Sequence, residues 1–94
     1  MSKRAKRLQK IRQNPKNVSL DELKLVVEDY GFEHLRTTGS HYIFLAQMGE
    51  TVWRLTIPFH RPVKQAYVDE ALKAIDEIIS LEGETGETDN DGNN

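Results

Sequence analysis

The stretch GSHYIFLAQMGETVWRLTI, residues 39–57, decides the fold. Met48-Gly49-Glu50 divides it into two runs, His41 to Gln47 and Thr51 to Ile57, both rich in the β-branched and aromatic residues that favour strands. A connection this tight joins antiparallel neighbours. Gly39-Ser40 is a second turn, and before it Phe32 to Thr38 reads as a further strand, so the segment predicts a three-stranded antiparallel meander. Side chains alternate across a strand, which groups Tyr42, Phe44 and Ala46 on one face with Trp53, Leu55 and Ile57. These bulkier sets are expected to meet helices. His41, Ile43, Leu45 and Gln47 then share the other face with Val52, Arg54 and Thr56, although a one-residue slip would exchange the two.

Helical patterns flank the meander. Ser19 and Glu22 form a capping box, after which Leu20, Leu23, Val26, Val27 and Tyr30 fall on one face until Gly31 stops the helix. Beyond a loop bracketed by Pro58 and Pro62, a last helix is expected from about Gln65 to Ser80, with Val68, Ala71, Leu72, Ile75 and Ile79 as its buried stripe. Lys3 to Gln13 also favours helix. Its stripe of Ala5, Leu8 and Ile11 is too thin to stand alone, so it must dock, and Asn14-Pro15-Lys16-Asn17 ends it.

The reading is an α+β fold: a two-layer α-β-β-β-α core, the topology of double-stranded-RNA-binding domains, with an extra N-terminal basic helix. Residues 1–17 are that helix and its turn, 18–80 the core, and 81–94 an acidic tail expected to be disordered. The face bearing His41 is too apolar for open solvent. Its expected cover is the N-terminal helix, a second copy of the chain, or a partner protein.

A net charge of −2 conceals opposite ends: residues 1–16 carry seven bases and no acid, and residues 81–94 carry five acids and no base. The basic arm either attracts RNA phosphates through counterion release or is a solvated helix. The chain has no Cys, which excludes disulfides and thiolate chemistry. No apolar run approaches the roughly 20 residues of a membrane span, and no hydrophobic stretch follows the basic N-terminus as in a signal peptide. A cytoplasmic protein without membrane association is expected. Its scattered histidines lack the carboxylate spacing of a zinc site, so no metal or other cofactor is expected.

Gly39-Ser40-His41 stands where a turn becomes a strand, followed by Phe44 and later by Ile57-Pro58 and His60. Within this order of elements the pattern resembles the HicA toxins of bacterial toxin–antitoxin systems, over roughly Asn14 to Ile79 and including the lead-in Asn14-Pro15-Lys16-Asn17-Val18. The resemblance implies an endoribonuclease (mRNA interferase) with a double-stranded-RNA-binding-like fold, neutralised by a HicB-like antitoxin, with His41 as its catalytic residue. Many members carry a second His where this chain has Tyr42, a position that points to the core face.

Cleavage through the ribose 2′-OH needs a base, an acid and a cation for the crowded phosphate, but no metal. Histidine suits either proton transfer, because its unperturbed pKa of about 6.5 lies near working pH. His41 is the candidate for one of them. Arg36, Arg54, Arg61 and Lys64 are candidate phosphate contacts, as are the backbone amides of Gly39 and Ser40. His60 either reaches the same groove or fills its loop; His34 is expected to be exposed, and Trp53 to belong to the core. Two other readings stay open: a non-catalytic RNA-binding module, and an interaction protein that docks a partner on the apolar sheet face.

Overall fold

The computed structural model describes residues 2–84. Their elements run α1 (Lys3–Gln13), α2 (Leu20–Asp29), β1 (Glu33–Thr38), β2 (His41–Met48), β3 (Thr51–Pro58) and α3 (Gln65–Glu84). The sheet is antiparallel in the order β1-β2-β3, so the expected α+β layout is the observed one.

Local chemistry sets the boundaries. The Ser19 hydroxyl accepts from the Glu22 backbone N–H at 3.1 Å, and the Glu22 carboxylate accepts from the Ser19 N–H at 2.9 Å, which completes the capping box of α2. At its other end Gly31 adopts φ 101°. The N–H groups of Gly31 and Phe32 donate to the carbonyls of Glu28 and Val27, a Schellman arrangement that buries Phe32 beside the helix end. Both hairpins turn through two residues, Gly39-Ser40 between Thr38 and His41, and Gly49-Glu50 between Met48 and Thr51. In each the glycine takes φ 60° and its successor does not take positive φ, the pattern of a type II′ turn.

The register agrees with the alternation. Phe44, Ala46, Trp53, Leu55 and Ile57 are buried in one core with Leu23, Val26 and Val27 of α2 and Val68, Ala71 and Ile75 of α3. The Trp53 indole N–H donates to the Glu77 carboxylate at 2.8 Å, fixing α3 over β3. β1 is exposed along its whole length.

Three features depart from the sequence reading. First, α1 does not cover the open sheet face. Leu8 and Ile11 join the main core, and Arg7 grips Asp29 of α2 while Arg4 and Arg12 pair with Glu82 and Asp76 of α3. Second, the buried stripe of α3 runs through Val68, Ala71, Ala74, Ile75 and Ile78, leaving Ile79 exposed at 37%. The stripe is rotated toward Ala74 and Ile78, with Leu72 only partly buried. Third, α3 continues past Ser80 to Glu84, with Leu81 packed on the core and Glu82 bonded to Arg4. Of the tail expected over 81–94, residues 85–94 lie outside the described residues. Among the described residues no helix is long and apolar enough to cross a membrane.

Candidate nucleic-acid interface

His41 opens β2, opposite Thr38 in β1 and Pro58 in β3. Its side chain is exposed on the sheet face away from the helices, and no hydrogen bond to another described residue restrains the ring. The turn beneath it is held from two directions. Gly39 supplies the positive φ, and the Ser40 carbonyl accepts from the Phe59 N–H at 2.7 Å, which ties the exit of β3 to the start of β2.

Arg36 shares that face because of a β-bulge. The ladder pairs His34 with Phe44 but Arg36 with Ile43, leaving Leu35 as the extra residue. Without the extra residue Arg36 would stand opposite Tyr42, on the helix side; the bulge turns it to the open face. Arg36 and Thr56 then flank Ile43, in the row next to Thr38, His41 and Pro58. Rows on one face are two residues apart, about 7 Å along the strand. Arg54 pairs with Leu45, one row farther. The structure therefore brings His41, Arg36 and Arg54 onto one surface.

The other candidates lie elsewhere. Arg61 is exposed in the β3–α3 loop, its guanidinium 5.4 Å from the centre of the Phe59 ring, and Lys64 is exposed just before α3. The His60 ring makes a local bond, with Nδ1 2.7 Å from the Pro62 carbonyl oxygen, so its partner is its own loop. His34 is exposed as expected, yet it also stacks on Tyr42 and lies tilted against Phe44, at ring-centre distances of 5.6 and 5.2 Å, with Nε2 2.8 Å from the Thr37 hydroxyl. It screens the flank of Phe44 where no helix covers β1. Trp53 belongs to the core.

Farther along the open face the surface turns apolar. Leu35 and Val52 are 49% and 56% exposed, and with Leu45 they line a shallow depression of about 300 Å³. Nothing among the described residues covers it.

Four of the seven bases of the basic arm, Arg4, Arg7, Lys10 and Arg12, are paired within the molecule. Arg7 donates through Nε and Nη2 to both carboxylate oxygens of Asp29, each at 2.7 Å, and Lys10 lies 3.0 Å from Glu22. The hydrogen bonds that Arg7 donates to Asp29 raise its pKa, and those that Arg12 donates to Asp76 do the same. The Ser19 backbone N–H, and then Lys10, hold the Glu22 carboxyl below its ordinary value.

On the helix side of the same sheet end, a groove of about 900 Å³ opens between the α1–α2 turn and the loop after β3. Asn14 and Asn17 lie on one side, and Tyr42, Phe59 and Arg61 on the other. The sequence reading took Asn14 to Asn17 as turn chemistry and as part of the family lead-in, with no groove expected there. The available signal was Phe59, an aromatic residue between two prolines in a polar loop.

Among the described residues, no group of three or more His, Asp or Glu is placed to hold a metal ion. Comparison with protein-family models, with curated proteins and with solved structures finds no match to this chain.

Proposed function

We propose that this chain is an endoribonuclease toxin of the kind it resembles, an mRNA interferase of HicA type, cleaving RNA without a metal through His41. The observation that carries this reading is the exposed His41 imidazole at the Gly39-Ser40 turn with the Arg36 guanidinium on the same open face. In the proposed reaction the ribose O2′ attacks the adjacent phosphorus, the P–O5′ bond breaks, and the products carry a 2′,3′-cyclic phosphate and a 5′-hydroxyl. His41 performs one of the two proton transfers, from O2′ or to O5′; water or a phosphate oxygen performs the other. Arg36 stabilises the negative charge that accumulates on the phosphoryl oxygens.

The partner in this reading is a HicB-like antitoxin. Leu35 and Val52, exposed on the face that carries His41, support a protein partner there, which would cover the imidazole as it buries the apolar surface.

The test is incubation of the purified chain with RNA in EDTA. Cleavage by the wild type that is lost in His41→Ala supports the nuclease. RNA binding without cleavage replaces it with the binding module. Growth arrest on expression that persists unchanged in His41→Ala would reject the assignment of the site.

A further inference from the structure

We infer that the groove between the α1–α2 turn and the loop after β3 is a nucleobase subsite for single-stranded RNA, seating the base next to the phosphate held at His41. The inference rests on the nuclease reading for its substrate and on separate residues for its argument.

The chemistry of the walls selects the ligand. Phe59, 45% exposed, and half-buried Tyr42 supply aromatic surface, and the Arg61 guanidinium lies over the Phe59 ring. Every base has a π-face that such surfaces accept regardless of sequence. Facing them are Gln13, Asn14 and Asn17, whose side-chain amides are exposed and form no hydrogen bond with another described residue. Each amide offers both donors and acceptors, the complement of a base edge.

Charge argues against phosphate in this groove. The cations lining it are Lys10 and Arg61, and the anions are Asp21 and Glu22, which cancel formally, with Lys10 already 3.0 Å from Glu22. A neutral planar heterocycle fits where a phosphate would gain little. The volume, about 900 Å³, lies within the roughly 300–1,000 Å³ usual for small-ligand sites and accepts a base with its ribose.

Position couples the groove to the reaction. His41 and Tyr42 are consecutive and project to opposite faces of one strand end, and the Phe59 N–H is bonded to the Ser40 carbonyl. RNA rounding this end of the sheet presents a phosphate to the imidazole and the adjoining base to the groove. The subsite would thus set which base flanks the cut.

The experiment uses the full chain and 2′-O-methylated RNA hexamers of each of the four bases, which lack the attacking hydroxyl and stay intact. Nitrogen-15 spectra should show the side-chain amides of Asn14 and Asn17 shifting with at least one hexamer and not with an abasic ribose-phosphate chain. Phe59→Ala and Asn17→Ala, both at exposed positions, should weaken that binding at least tenfold while keeping the wild-type unfolding temperature. Equal binding of the abasic chain, shifts confined to the open sheet face, no hexamer binding, or unchanged affinity in both variants would overturn the inference. Failure of the nuclease reading looks different: hexamers occupy the groove, yet unmodified RNA is never cut. Conversely, His41-dependent cleavage whose rate and cut sites are unaltered by Phe59→Ala removes the subsite and leaves the nuclease.

Discussion

Arg36 and His41 stand on the same face of the sheet in adjacent rows, and they do so because the Leu35 bulge shifts β1 by one residue. A guanidinium on a five-donor fork beside a free imidazole can engage a phosphate that the imidazole alone could not hold in place.

Replacing Arg36 with Ala should lower the single-turnover rate of RNA cleavage by about 10²-fold, the usual loss when one donor to a developing oxyanion is removed. Arg36→Lys should recover part of that loss, since charge returns without the planar fork. Arg54→Ala, one row farther from His41, should mainly weaken binding. An Arg54 variant slower in chemistry than the Arg36 variant would reverse these roles.

Glu77 should be worth about 1–2 kcal/mol to stability through its bond to the Trp53 indole, measured as the difference in urea unfolding between wild type and Glu77→Ala. Trp53 is the sole tryptophan, so its emission reports the same bond directly. Glu77→Gln retains an acceptor and should keep most of the stability.

The capping box predicts an acid-side loss of stability. Glu22 has its pKa lowered on folding, first by the Ser19 backbone N–H and then by Lys10. A depressed folded value means that the contribution is fully present above the unfolded value of about 4.3 and is lost as pH falls through the folded value. Glu22→Gln should keep the reciprocal hydrogen bond but flatten this part of the stability–pH curve. Ser19→Ala should cost about 1 kcal/mol at neutral pH by removing the cap itself.

Local rules made much of this molecule readable in advance. Ser19 and Glu22 marked a helix start, Gly31 its end, and strict alternation in 41–57 sorted Phe44 and Trp53 from His41 and Arg54. What alternation cannot register is an extra residue. Nothing in Leu35-Arg36 signals a bulge, so the face of Arg36 became known only from the pairing. The stripe of α3 was misplaced in two positions, Leu72 for Ala74 and Ile79 for Ile78, because all four continue a helical period and only the packing against the sheet and α2 separates them. The groove escaped because its walls come from segments far apart in sequence, with Asn17 and Phe59 meeting only in the fold.

The destination of α1 leads to the last prediction. An isolated helix of eleven residues is marginal in water, so α1 persists by docking. Leu8 and Ile11, 5% and 3% exposed, should therefore carry its stability, and Ile11→Ala should cost about 2–5 kcal/mol in unfolding experiments. Its charges have a different part. Arg4, Arg7, Lys10 and Arg12 are matched to Glu82, Asp29, Glu22 and Asp76, which leaves them little counterion atmosphere to release on RNA. The logarithmic salt dependence of RNA binding should thus fall by about 0.7 for Arg36→Ala, the value for one phosphate contact on a single strand. It should not change for Lys10→Gln, whose ammonium already lies 3.0 Å from Glu22. A slope that falls as much for Lys10→Gln would make α1 part of the RNA surface, the first of the two roles its composition left open.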